Sequence, residues 1–540
     1  MQTVSENWKN AHKRSLLNES FVEVSLDIAD PDALADASPQ DNGAIYTSDS
    51  SQLARQVDKI TSPYCTLEQN LWILDGNRKA IPVSEFADDT YTSDVMCDET
   101  CVFPTKRPTI TIEFGNVHSK LIPGITIYWS EVYGEYADTF EVIAYDSSNA
   151  VIATKEVTGN KSVKTLIPLD IVDYKRVVVI IKKWCLPHRR ARIEGILVGL
   201  NKVYGKADLF AYSHKQSVDP LSTSLPKFEI SFSVDNVEGE YNPHNPQGLA
   251  KYLMERQEVK ARYGLKMDDG SIEWIDGGIF YLSEWYAKQN GMTADFTARD
   301  LLEFMSDVYA DIELPTKERD LYNLAEIILN MAHLPVAVDN ANRWRIDGSL
   351  GNIKTTAPLP EDTLANHLQL IANAGKCVLY QDRDGVLCIE PMATVTDTAY
   401  EINSSNSYSK SEISLSKPLK QVKVKVYAYT QEAGKDIEYT STEVAYSEAS
   451  SNTIGETIVV DNPLITDSTH AESVAKWMYE YLSNRMTLDS SWRADVRLDA
   501  LDVTKNSNDY NTSRVLMTDV DFKYNGAFRG TGKGKVIGNG

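Results

Sequence analysis

Residues 228–234 read Phe-Glu-Ile-Ser-Phe-Ser-Val. Phe228, Ile230, Phe232 and Val234 fall on one face and Glu229, Ser231 and Ser233 on the other, the period-two pattern of a strand buried on one side. Downstream, Val259-Lys-Ala-Arg-Tyr263 and Ile272-Glu-Trp-Ile275 flank Asp269-Gly270, a hairpin signal, and Phe280 to Tyr286 reads as a further strand. Upstream, Phe21-Val-Glu-Val-Ser-Leu-Asp-Ile28 alternates in the same way. Together these segments predict a mainly antiparallel barrel or sandwich.

Between them the texture becomes dense β. Ile110, Ile112 and Phe114 alternate, followed by Ile125-Thr-Ile-Tyr128, Phe140-Glu-Val-Ile-Ala-Tyr145, Val151-Ile-Ala-Thr154, the apolar run Val177 to Ile181, and Ile193 to Val198. Short strands at this spacing predict a β-sandwich. Further on, Leu321, Leu324, Ile328 and Met331 recur at helical spacing before Pro335, and Leu364, Leu368 and Ile371 do so before Gly375. Strict alternation returns at Lys417 to Tyr427, with Val422, Val424 and Val426 inward. A helix is expected over 469–484, and last strands around 493–503 and 514–524. The resulting fold class is mainly β with α+β segments. Five segments follow: 1–104 and 201–310 as two parts of one β domain, 105–200 as a sandwich within it, 311–395 containing helices, and 396–540 as a second β domain with one helix.

The length of 540 residues suits three or four domains at about 150 residues each. With 77 acidic and 54 basic side chains the formal net charge is -23, which argues against a duplex-reading or anionic-membrane surface. The longest aliphatic run, Val177 to Ile181, is far short of a membrane span, so no membrane anchor is expected. The start, MQTVSENWKNAHKRS, has no apolar core for a secretion signal, which predicts synthesis and folding in the cytoplasm. The six cysteines read as reduced thiols. Cys97 and Cys101 lack a second ligand pair at zinc-ribbon distance, and an Asp384-Gly385 turn would set Gln381, not Cys377, opposite Cys388.

Chemistry-bearing motifs are missing. No His-Glu-x-x-His, Gly-x-Ser-x-Gly or phosphate loop occurs, so no catalytic, metal or cofactor-binding residue is assigned and the chain reads as a non-enzyme. The strongest binding signal is aromatic: Trp129, Tyr133, Tyr136 and Trp184, with Asp138 and Arg189, fall at expected loop ends of the sandwich, where ring faces beside polar groups hold a sugar or a protein partner. Against this stands a core role for Trp129 and Trp184. Alternation sets Arg190 and Arg192 on one solvated strand face.

Several segments carry a resemblance. They are Ser231-Phe-Ser-Val-Asp-Asn-Val-Glu-Gly-Glu-Tyr-Asn-Pro243, Gly277-Gly-Ile-Phe-Tyr-Leu-Ser-Glu-Trp285, Met292-Thr-Ala-Asp-Phe-Thr-Ala-Arg-Asp-Leu301, Asp461-Asn-Pro-Leu-Ile465 and Phe522-Lys-Tyr-Asn-Gly526. In this order, with a helical segment between two β domains, they resemble the trimeric baseplate hub and tail-tip proteins of tailed phages and prophages. Residues 105–200 resemble instead a discoidin-type, galactose-binding-like jelly roll, through Ala137-Asp-Thr-Phe-Glu-Val-Ile-Ala-Tyr145 and Trp184-Cys-Leu-Pro-His-Arg-Arg-Ala-Arg-Ile193. The first resemblance implies two hub-type β-barrel domains, a homotrimer, and a place in the virion at the tail tip after assembly in the bacterial cytoplasm. Its implied partners are distal tail and tail-tube proteins and a tape-measure protein or tail-tip fibre or spike, with DNA passing through without specific binding. The second implies an inserted jelly roll whose first and last strands, Thr109 to Phe114 and Arg192 to Val198, pair with each other, and, as an alternative function, a carbohydrate-binding adhesin acting on a host surface glycan. A cell-wall or glycan hydrolase is a third reading of lower weight, put in doubt by the end of the chain soon after the second β domain.

Overall fold

The computed structural model describes all residues except 1, 13–18, 55–62, 75, 81–89, 289–290, 314–316, 336–341, 393–396, 432–436, 450–453, 494 and 540. Among the described residues thirteen strands form one sheet. Its path runs Gly199–Tyr204, Ser20–Ala29, Glu258–Lys266, Ile272–Ala287, Thr293–Arg299, Lys227–Asp235, Leu209–Ser217, Thr512–Tyr524, Phe528–Asn539, Met486–Arg493 and Glu412–Leu415. Val503–Ser507 also pairs with Thr512–Tyr524 and carries Asp397–Ile402 in parallel. All other pairings in this sheet are antiparallel, as the alternation requires, and the buried face includes Val22, Val24, Leu26, Ile28, Ile230, Phe232 and Val234. The N-terminal and C-terminal β regions meet in one strand pair, with Tyr212 opposite Tyr524 and His214 opposite Phe522. Instead of two closed barrels, the pairings among the described residues make an open path whose two halves share one core.

The chain leaves this sheet after Ala29 and returns at Gly199, and these two residues are paired. Between them lies a module of two main sheets. One is ordered Ala37–Asp41, Thr109–His118, Tyr174–Trp184, Ala137–Tyr145, Val151–Val157, and the other Lys164–Ile171, Ile122–Tyr128, Gly195–Leu197. Their common core holds Ile110, Ile112, Phe140, Val142, Val177 and Val179. Ala33, Leu53, Tyr91, Cys97 and Phe103 join it, so residues well before 105 help to build the module. Thr109–His118 pairs with Tyr174–Trp184 and Ala37–Asp41, not with the 192–198 segment. Arg190–Ile193 pairs instead with Tyr91–Met96, and Gly195–Leu197 with Ile122–Tyr128. The apolar run at 177–181, buried on alternate residues, is paired on both sides within its sheet.

A third core joins helices Leu321–Met331 and Leu364–Ala374 to helix Ser468–Leu482. Side chains of Asp320, Thr363 and Asp467 cap these helices, each accepting from a backbone N–H three residues on. Leu419–Thr430 forms its own sheet with Glu438–Tyr446 and Glu456–Val460. Val422 and Val424 are fully buried beneath a helix face that carries Val474 and Met478. The hairpin at 384–385 has a longer loop than two residues: Asp382 donates its N–H to the Val386 carbonyl (2.9 Å), which sets Tyr380 opposite Cys388 and Cys377 opposite Pro391. All six cysteines are free.

Candidate functional site

The six residues singled out for binding do come together at one end of the module, but several serve its interior. Trp129 and Trp184 are fully buried and meet edge to face at 6.0 Å between ring centroids, with Phe140 against Trp129 at 5.0 Å. The Trp129 indole N–H donates to Thr165 Oγ1 (2.9 Å), and that of Trp184 to Glu135 Oε2 (2.9 Å). Neither offers a ring face to solvent. Arg189 is buried with its Nε 3.0 Å from Glu135 Oε1. Tyr133 accepts a bond from the Tyr64 N–H (2.6 Å), donates to the Tyr64 carbonyl (3.1 Å), and lies under the Arg192 guanidinium at 4.5 Å. Tyr136 and Asp138 are half-buried at the rim, and Asp138 lies 3.6 Å from Lys183.

The centre of this constellation is a pair of carboxylates that sequence reasoning missed. Glu135 also lies 3.5 Å from Arg192, and Glu68 pairs with Arg192 and accepts from the Arg190 backbone N–H (2.8 Å). Glu68 sits in the loop after Tyr64–Cys65, and this loop covers the strand face on which Arg192 lies. The expected solvated face for Arg192 is therefore a buried one. Strand periodicity tells which side a residue faces, not what a distant loop lays over it. Charges buried and paired in this way leave little charge free for a ligand, and removing one partner would strand the other.

A second polar cluster lies between the two halves of the large sheet and the hairpin at 384–385. Arg383 donates from Nε to Asp499 Oδ1 (2.7 Å), from one terminal nitrogen to the Asp276 carbonyl (2.8 Å), and from the other to the Val496 (2.7 Å) and Leu498 (3.1 Å) carbonyls. Gln216 donates to Asp499 at 3.0 Å, and His214 Nδ1 lies 2.7 Å from the Tyr263 hydroxyl. A cavity of about 90 Å³ opens beside them. Burial, and then the Arg383 charge, push the His214 imidazole down to about 3, so it is neutral and a weak proton acceptor at neutral pH. Burial works against the Asp499 carboxylate, yet Arg383 and Gln216 hold its pKa below the ordinary value. The cluster is built to join bodies, with no activated nucleophile beside the base.

One surface open among the described residues is a sheet edge. Strand Glu412–Leu415 ends the thirteen-strand sheet with all four residues exposed, Ile413 at 57% and Leu415 at 64%. At the opposite end, Thr126 of the module donates to the Gly199 carbonyl (3.1 Å) and accepts from the Asn201 N–H (3.1 Å), which caps that edge. Among the described residues no group of three or more His, Cys, Asp and Glu could hold a metal, and no helix is long and apolar enough to cross a membrane.

No family model and no curated protein matches the chain. Solved structures do. A 43 kDa tail protein of prophage MuSo2 from Shewanella oneidensis is 12% identical, with 62% of this chain and 95% of that one covered and a TM-score of 0.39. The tail protein from Neisseria meningitidis MC58 is 9% identical, with 63% and 94% covered and a TM-score of 0.40. The lectin domain of lectinolysin, solved with Lewis B antigen, is 8% identical, with 31% and 94% covered and a TM-score of 0.20. The virion of a gene transfer agent and baseplates of phage P2 are also among the structural neighbours.

Proposed function

We propose that this chain is a structural, non-enzymatic component of a phage tail or a tail-like particle, acting as the hub at the distal end of the tail. The observation that carries the reading is the single open sheet. Its two halves, seven strands from the N-terminal region and six from the C-terminal region, share one core and leave Glu412–Leu415 as an apolar free edge. Exposed strand edges are normally blunted by charge or cover, so an edge carrying Ile413 and Leu415 suits a surface that is completed on assembly. Three copies would place six β halves in a ring, matching a sixfold tail tube without six chains. In this reading the ring contacts distal tail and tube proteins and a tape-measure protein or tail-tip fibre or spike. DNA passes without specific binding, as the net charge of -23 favours.

The module is an inserted jelly roll that faces outward in this reading. Since Trp129 and Trp184 are used in its core, contact with a neighbouring protein or a host glycan falls to rim groups such as Tyr136 and Asp138. The hub reading is tested by native mass spectrometry with electron microscopy of the purified chain. A trimeric ring with a channel is expected, whereas discrete monomers under all assembly conditions would refute it.

A further inference from the structure

Between helix Ser468–Leu482 and the C-terminal half of the large sheet lies a cavity of about 280 Å³. Trp477 and Tyr481, four residues apart and so on one helix face, form one wall. Val503, Leu516 and Ile537 of the sheet form the other, with Met392 beside them. Strand register brings a cation to this apolar lining. Lys535 stands opposite Leu516, and Leu516 opposite Val503, so the three make one row across the sheet. The Lys535 ammonium lies 4.2 Å from the centroid of the Tyr481 ring.

Among the described residues no carboxylate pairs with this ammonium. Asp219, whose charge acts on it, instead accepts from the N–H groups of Leu221 (3.0 Å) and Thr223 (2.8 Å). Glu480, at the cavity, lies 3.9 Å from Lys476. The helix end offers little, because the side chains of Ser483 (2.9 Å) and Asn484 (3.3 Å) already donate to the Glu480 carbonyl. Burial lowers Lys535 to about 8, as expected of a cation stripped of water without a matching anion. Arg514 adds a second cation to the lining.

Size decides the kind of guest. A cavity of about 150 Å³ already admits a benzene ring, whereas pockets for drug-sized molecules begin near about 300 Å³. One bulky apolar side chain fits, and a whole cofactor does not. An apolar group alone would leave the ammonium unmatched, and a bare anion would leave the apolar walls wet. We infer that this cavity is a socket for the C-terminal residue of a partner chain, with its apolar side chain between Tyr481 and Leu516 and its terminal carboxylate on Lys535. A chain end carries both groups on one Cα, which suits an ammonium resting directly on a wall of the cavity. The socket uses no contact of the ring and stands or falls apart from it.

The test titrates N-acetyl-phenylalanine, and its neutral twin N-acetyl-phenylalaninamide, into the full chain labelled with carbon-13 in its methionine methyl groups. Met392 reports from the cavity wall, its resonance identified by its loss in Met392→Leu. A millimolar Kd is expected for so small a probe. The acid should bind about tenfold more tightly than the amide, the worth of a charge-assisted contact. Lys535→Met should erase that difference, and Ile537→Trp, which fills the cavity, should abolish the Met392 shift with either probe. A Met392 methyl unmoved by the acid, or equal affinity of acid and amide for the unmodified chain, would overturn the inference. So would a preference for the acid that survives Lys535→Met. Should a variant fail to fold, the comparison of acid with amide on the unmodified chain still decides.

Discussion

Replacing Arg383 with methionine keeps an apolar stem in place and removes every donor the side chain offers to the two halves of the large sheet. Four bonds are lost, to Asp499 and to the carbonyls of Asp276, Val496 and Leu498. Asp499 is then left with the neutral donors Gln216 (3.0 Å) and Gln2 (3.2 Å) for a half-buried charge. Breaking a buried pair by removing one partner costs about 3–5 kcal/mol, because the remaining charge is uncompensated. At roughly 2–4 °C per kcal/mol for a body of this size, the host transition in differential scanning calorimetry should fall on the order of 10 °C at pH 7. The sign with pH follows from Asp499. Its carboxyl lies below the ordinary value in the folded chain, so its contribution is present above about pH 4 and fades as pH falls through the lowered value. The difference between variant and parent should therefore shrink as pH falls through that lowered value. Adding Asp499→Leu to Arg383→Met should recover part of the loss, since no charge is then stranded. A loss under about 1 kcal/mol for Arg383→Met at pH 7 would refute the reasoning, because no buried tie of this kind is that weak.

A fragment of residues 30–198 should unfold cooperatively in a thermal circular dichroism scan. A fragment of 105–200 should not, since it lacks Ala33, Leu53, Tyr91 and Phe103 of the core and the strands Ala37–Asp41 and Tyr91–Met96; equal cooperativity of the two would contradict this. Ile413→Lys with Leu415→Glu should abolish self-association in sedimentation velocity while shifting stability by no more than about 0.5 kcal/mol per exposed site, and unchanged association would exclude this edge as an assembly contact. Gly199→Val should detach the module's return strand: Gly199 has φ +158°, and a Cβ there would lie 2.5 Å from Ala29 Cβ and 2.6 Å from the Ile28 carbonyl. The expected reading is loss of exchange protection over Gly199–Tyr204, at a cost of about 1–3 kcal/mol. Burial raises Asp300 to about 7, so its contribution to the host body should decline as pH rises from 6 to 8, measured as a falling midpoint in urea; a midpoint that rises over that range would contradict the assignment.

The elements with a strong period were legible before any coordinates. Phe228 to Val234 and Val22 to Ile28 alternate because one face packs and the other does not, and both sets are buried as read. Helices Leu321–Met331, Leu364–Ala374 and Ser468–Leu482 announce themselves by apolar spacing, and each begins at an Asp or Thr cap. What escaped is everything set by contacts between distant segments. The pairing of Tyr212 with Tyr524 joins residues more than three hundred positions apart, and no local pattern marks it. Valines 422, 424 and 426 were rightly seen as inward, yet nothing in their spacing says that helix Ser468–Leu482, rather than the large sheet, covers them. At the candidate site the aromatic residues were found and their use was not. Trp129 and Trp184 could be read as loop-end platforms or as core, and the structure puts them in the core. Glu68 and Glu135 carry no motif, and only the folded loop brings them to Arg189 and Arg192.

The central claim is that this open sheet is completed by other copies of the chain into a tail-tip ring. Native mass spectrometry of the intact protein, followed by cryo-electron microscopy of the main species, tests it most directly. Three copies in a ring around a channel, with Glu412–Leu415 of each copy buried against its neighbour, is the predicted result. A monomer with that strand exposed, or a ring of six copies, would contradict it.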